Sequence, residues 1–349
     1  MPDSKVAVLT TSPEAVIEDY SRLMRLVSYS DAIHPERETV LSIDLSWHHH
    51  FPACSTTPWQ LDGVINTLLS DGYSKDRIFA CTNKTAAVSI KKGEILNRQR
   101  IAAEKHGIKA IHLDNREKRL RYSPKIPAQA PGNDRPGEAL IPERFAGSNI
   151  IFLPTMKTHL NTTIAGSLYS AFLGTLDETD SRRSAGLHES LVDTLAVMRE
   201  ISQGMLFVMD GTFTGEGPGP QRLIPHIGNV IAASTDPIAL DAVAARMMGF
   251  DPLSIPFIRQ ANEAGLGTGD ISGVEIIGDD ISEVNFNFRV NPTFQDSVLW
   301  WLQTSSIAKF TYFLPMLFND WYWYIAVGEK RIKKVVKSGW GELFETYRR

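Results

Sequence analysis

Short apolar runs rich in valine and isoleucine, separated by longer segments of helical periodicity, constrain this chain more than any other feature. In order they read VAVLTT, TVLSIDLSW, RIFACTN, KAIHLDN, NIIFLP, MLFVMDG, NVIAAS and VEIIGDD. A run that is apolar at successive positions must be covered on both faces, and the segments between the runs can supply that cover. The pattern therefore predicts an α/β fold with a mainly parallel sheet flanked by helices. One helix starts at Thr57-Pro58, a cap followed by a first-turn proline, and repeats Leu61, Ile65 and Leu68 along one face. A second, HESLVDTLAVMREI, carries the stripe Leu191, Leu195 and Met198. A third follows Asp236-Pro237 and stops at Gly249.

Two regions break the alternation. Residues 116–147 are proline-rich and charged, which predicts a long irregular excursion suited to a lid or binding loop. From about residue 291 the composition changes to WW, TYFLPMLF and WYWY, followed by GEKRIKKVVK. The expected division is an α/β domain over 1–290 and an aromatic, basic helical tail over 291–349. Tryptophan and tyrosine ahead of Lys330, Arg331, Lys333, Lys334 and Lys337 suit contact with an anionic membrane surface through 300–337. Pro315, Asn319 and Asp320 interrupt the apolar stretch, which is too short to span a bilayer. The competing reading is an arm that packs on the α/β body or on a second subunit of a homo-oligomer.

A net charge of -4 with a pI near 6.2 gives no basic footprint for nucleic acid. Cys54 and Cys81 are the two cysteines, so neither a disulfide framework nor a four-thiolate centre can form within the chain. The first twenty residues lack a basic region followed by an apolar stretch, and the expected location is the cytoplasm, with peripheral membrane contact.

Candidate chemistry clusters where strands end. NIIFLP runs into Lys157 and His159, and ligands of open α/β sheets bind beyond the carboxyl ends of strands. Lys157 is a candidate clamp for an anionic small molecule, or a base if burial lowers its pKa; a solvated turn is the plain alternative. Asp210 ends MLFVMDG and precedes Gly215, Gly217 and Gly219, whose backbone could approach an anion or could simply form a proline-stiffened turn. In extended chain His48 and His50 share a face, so with His159 they make a candidate metal set, with Asp44 orienting a ring or ligating and Cys54 near enough to join. Against this stands a histidine run used only for packing. Asp236 is explained as a helix cap, and Asp241, among Ala242, Val243 and Ala244, is harder to explain if buried.

The segments LPTMKTHLNTT, AFLGTL, Leu187-His188 ahead of LVDTL, FVMDGTFTGEGPGP and ASTDPIALDAVAARMMGFDP, in this order over about residues 39–280, resemble the domain of unknown function 362 family. The resemblance implies an α/β protein, often accompanied in relatives by ferredoxin-type clusters, with redox chemistry and a poorly defined role. It also places His188 where related sequences carry a histidine, implying a ligand or acid–base function. The chain departs from its relatives in reading Asp44 to His50 where a lysine, proline and asparagine commonly end the strand, and in lacking the ferredoxin cysteines. No intrinsic iron–sulfur cluster is expected. Electrons would come from a redox partner protein or a diffusible cofactor, or the metal would sit on nitrogen and oxygen ligands.

The expected function is a metal-assisted enzyme acting on an anionic small molecule in a biosynthetic pathway, with Lys157, His159, His188 and Asp210 as catalytic candidates. An oxidoreductase is favoured. An isomerase or lyase using lysine and histidine as acid and base, and a membrane-associated binding or scaffold protein, are the alternatives.

Overall fold

In the computed structural model, which describes residues 4–83, 88–113, 118–125, 139–175, 186–294, 298 and 317–348, each apolar run contains a strand. They are β1 (Ser4–Thr10), β2 (Thr39–Ile43), β3 (Ile78–Asn83), β4 (Lys109–Leu113), β7 (Asn149–Leu153), β10 (Gly204–Glu216), β11 (Ile224–Ser234) and β12 (Val274–Gly278). Their order across the sheet is β12-β1-β11-β10-β7-β2-β3-β4. β10, β7, β2, β3 and β4 are parallel to one another, and β11 pairs antiparallel with both β10 and β1. This pairing makes the fold α/β with a mainly parallel sheet. β8 (Thr155–His159) extends the sheet beside β10 and pairs with the short β9 (Thr163–Ile164).

Every residue of β2 and β7 is buried, as strands covered on both faces require. Successive side chains alternate between two cores: Val40, Ile150 and Phe152 enter one, while Leu41, Ile151 and Leu153 enter the other. The first core lies under α5 (Ser167–Thr175), α6 (Leu187–Ile201), α7 (Pro237–Met248) and α8 (Pro256–Glu263). The second lies under α1 (Val16–Leu26), α2 (Pro58–Ser70) and α4 (Gln99–Lys105), with α3 (Ile90–Leu96) leading into α4.

The helix ends obey their local chemistry. Thr57 and Gln60 form a reciprocal capping box at α2, with Pro58 in the first turn. The Asp236 carboxylate accepts from the Ile238 and Ala239 amides at α7, and Gly249, at φ +96°, closes it.

The proline-rich excursion contains a two-stranded antiparallel pair, β5 (Arg119–Tyr122) with β6 (Ala139–Pro142); the residues joining them lie outside those described. In the tail, Trp300 and the neighbouring aromatics up to residue 316 also lie outside the described residues. Beyond them the chain forms a π-helix (Phe318–Gly328), α9 (Glu329–Val336) and α10 (Gly339–Thr346). Trp340, Phe344 and Tyr347 join the second core, and Trp323 packs with Trp47, Phe51, Cys54 and Leu223 in a smaller cluster. Among the described residues no helix is long and apolar enough to cross a membrane.

Candidate metal centre

The carboxyl ends of β2 and β7 lie together beside the middle of β10, and polar side chains meet there. Lys157, on β8, is buried with its ammonium 2.7 Å from Asp44 Oδ2, 2.7 Å from the Cys54 carbonyl and 2.9 Å from Thr155 Oγ1. An ammonium has three hydrogens to donate, and these three acceptors use them. Asp44 is fixed in turn, its Oδ1 accepting from Ser46 Oγ at 2.7 Å and its amide donating to Thr56 Oγ1. The segment carrying Lys157 and His159 is therefore a wholly buried strand rather than a solvated turn, and Lys157 is an internal cation with a dedicated counterion.

Asp210 is sealed in the same way. Its carboxylate accepts from Tyr20 and Thr57 hydroxyls at 2.8 and 2.7 Å, the Trp59 indole at 3.0 Å, and the Thr212 amide and hydroxyl. Burial holds its pKa above the ordinary carboxyl value, an effect that the hydrogen bonds from Thr212, Thr57 and Tyr20 offset only in part.

The glycines after Asp210 are explained by close backbone packing. A Cβ on Gly219 would sit 2.1 Å from the Thr158 carbonyl, and one on Gly215 would sit 2.7 Å from Leu223. Thr158 Oγ1 donates to the Gly217 carbonyl at 2.6 Å, and the Gly219 amide donates to the same carbonyl, so the loop is laced to β8 and to itself. Gly217 has φ +110° and lines a cleft of about 190 Å³ with Glu216, Arg222, Arg289, Trp323 and Arg331. Three guanidinium groups and one carboxylate line that cleft, and the Arg331 guanidinium already donates to the Arg222 and Leu223 carbonyls.

The three consecutive histidines do not alternate as a strand would, because β2 ends at Ile43 and the chain then bends at Ser46, His48 and His49. His50 instead stacks on Phe344, ring centroids 3.8 Å apart, and burial lowers its pKa to about 4. His48 and His49 both turn to Asp320 on the π-helix: His48 Nε2 lies 3.3 Å from Oδ2 and His49 Nε2 3.8 Å from Oδ1. One potential ligand atom from each of the three residues lies within 4.8 Å of the others. Among the described residues this is the group of histidine, cysteine and carboxylate side chains that could hold a metal, and it includes neither His50 nor His159.

The surroundings favour the ligand forms of His49 and Asp320. Burial, with help from His48 and Lys92, lowers the His49 pKa to about 4, leaving a neutral imidazole at neutral pH. Burial alone would raise the Asp320 carboxyl, but hydrogen bonds from His48 and from the Trp47 indole, 2.7 Å away, bring it below its ordinary value. The His49 ring stacks on Tyr324 at 4.1 Å, and His48 Nδ1 is buried without a hydrogen-bond partner.

His159 and His188 form a separate pair. His159 Nδ1 accepts from the Asn161 amide at 3.3 Å and lies 2.8 Å from Thr162 Oγ1, and its ring rests against Tyr169. Burial, then Lys157 and His188, lower its pKa to about 3. Burial also lowers the His188 pKa; its Nδ1 has no partner and its ring lies parallel to Phe257. Asp241 is explained by helix capping, since its carboxylate accepts from the Ser167 and Leu168 amides at the start of α5.

Asp320 is the residue that sequence reasoning missed. Its signal was present: a lone carboxylate inside FLPMLFNDWYWY, where an apolar segment tolerates a charge only with a partner. The histidines that partner it lie far away in sequence.

Comparison with curated proteins finds no match. A family model described as Domain of unknown function (DUF362) matches residues 40–246. The matched span runs from β2 through most of α7 and contains His48, His49, Lys157, His159, His188 and Asp210, whereas Asp320, Arg289 and Arg331 lie beyond it. With more than half of its length matched, the chain belongs to the domain of unknown function 362 family.

Proposed function

We propose that this protein is a metal-dependent enzyme acting on an anionic small molecule, with His48, His49 and Asp320 as the metal ligands. The observation that carries the reading is the convergence of two imidazoles and a carboxylate within 4.8 Å, at a place where all three are largely withdrawn from solvent. Two histidines and one carboxylate form a donor set that suits Fe(II) or Zn(II) and leaves coordination positions for a substrate. A metal held there would supply a Lewis acid or a redox centre.

The chain's own groups prepare the site. The Trp47 indole fixes the Asp320 carboxylate, and Tyr324 holds the His49 ring by stacking. The arginine cleft supports the choice of an anionic substrate, and it is linked to the metal group through Trp323, which packs 6.0 Å from Trp47. The redox reading draws on the iron-type ligand set. An acid–base isomerase or lyase draws less support, because the three donors of Lys157 are engaged, leaving His159 and His188 as its carriers.

Elemental analysis of purified protein, with titration of Fe(II) and Zn(II) into chelator-treated protein followed by tryptophan fluorescence, tests the assignment. Stoichiometric metal is expected, and its loss in folded His49→Ala and Asp320→Asn variants but not in His159→Gln. Protein that neither retains nor takes up either metal would refute it.

A further inference from the structure

We infer that the outward face of the π-helix and α9 docks this protein on an anionic phospholipid surface, independently of the metal assignment. The π-helix is anchored by Asn319 and Trp323, which are buried, and it presents the opposite kind of residue outward. Trp321 is 75% exposed, Tyr322 61% and Ile325 56%, with Leu317 exposed just before them. Isolated apolar side chains on a surface need no explanation, but four within nine residues, two of them aromatic, form a patch. No described element covers them.

The chemistry beside the patch identifies its occupant. α9 continues the π-helix without a break and exposes Lys330 and Lys333, with Lys337 just beyond its end and Val336 extending the apolar character. Glu329, immediately ahead of Lys330, is an exposed acid. From Glu329 to the last residue, cations outnumber acids seven to three, in a chain whose net charge is -4. Arg331 turns inward, donating to the Arg222 and Leu223 carbonyls and lying over Trp323, so it fastens the element to the body.

Indole and phenol rings settle at the depth of lipid headgroups, where the ring is apolar and its polar edge stays hydrated. Lysines next to them meet the negative surface potential of an anionic leaflet. A face with both, on helices too short and polar to span, fits a membrane-surface contact better than a protein groove, which would leave the lysines without assigned partners.

Sedimentation with phosphatidylcholine vesicles, with and without phosphatidylserine, tests this with the full chain. The expected result is binding to the mixed vesicles that weakens about tenfold or more for the Lys330→Ala/Lys333→Ala pair and for Trp321→Ala/Ile325→Ala. These side chains are exposed, so the variants should keep their circular dichroism and unfolding midpoint. Protein that stays in the supernatant with both vesicle types overturns the inference, as does binding that is unchanged in both variants. A self-association abolished by Trp321→Ala, without vesicle binding, would assign the face to a second copy of the chain instead.

Discussion

Lys157 drew notice in the sequence because a cation closing an apolar strand looks like a functional group, and the structure gives it a counterion 113 positions earlier. Removing one member of a buried ion pair strands the other charge, which costs about 3–5 kcal/mol, whereas replacing both with neutral groups is often close to neutral. Lys157→Met is therefore expected to destabilise the protein by roughly that amount, and Asp44→Asn/Lys157→Met to recover most of the loss. Urea unfolding of the single and double variants checks this; equal stability across the set would mean that the pair carries no structural role. The importance of Lys157 was legible in sequence, but its role was not. Which acceptors surround an ammonium depends on how β2, β8 and the loop carrying Cys54 pack, and no local pattern encodes that.

Among the elements, strands were the most legible because covering a sheet on both faces imposes continuous apolar runs, and the capped helices could be read from Thr57-Pro58 and Asp236-Pro237. β8 was less so. TMKTH reads as a polar segment, and it is buried because Asp44, Thr155 and the Cys54 carbonyl satisfy its lysine. The tail was legible as aromatic and basic but not as two-sided. Trp340 lies inside, 5.3 Å from the Trp59 ring, and donates its indole hydrogen to Asn229 at 2.8 Å, whereas Trp321 lies outside. Trp340→Ala is accordingly expected to cost about 3–5 kcal/mol, and Trp321→Ala less than about 0.5 kcal/mol. Differential scanning fluorimetry and urea titration of the two variants would separate them, and similar losses from both would contradict this account of the tail.

At the scale of the whole molecule, buried histidines set the response to acid. His50 and His159 have pKa values lowered to about 4 and about 3, chiefly by burial, against an ordinary value near 6.5. The unfolded chain binds these protons first as the pH falls, so the stability they contribute is complete above about pH 6.5 and is lost progressively down to about pH 4 for His50 and about pH 3 for His159. Each such group steepens the decline by roughly 1 kcal/mol per pH unit within its window. Denaturant unfolding between about pH 7.5 and pH 5 should show stability falling with acid, with a shallower slope in His159→Gln. A slope unchanged by that substitution would mean that His159 already titrates normally in the folded protein.

The placement of Asp320 on the π-helix bears on the order in which this protein comes into being. Trp47, which fixes the Asp320 carboxylate, stands 273 positions ahead of it. Chains emerge and fold from the amino end, so the ten strands of the sheet among the described residues, and both histidines, are made before Asp320 leaves the ribosome. A nascent or truncated chain that stops short of the π-helix can possess the described strands of the sheet and still present His48 and His49 without their carboxylate partner. A segment made after the sheet thus brings Asp320 to the two histidines, and its arrival completes that cluster.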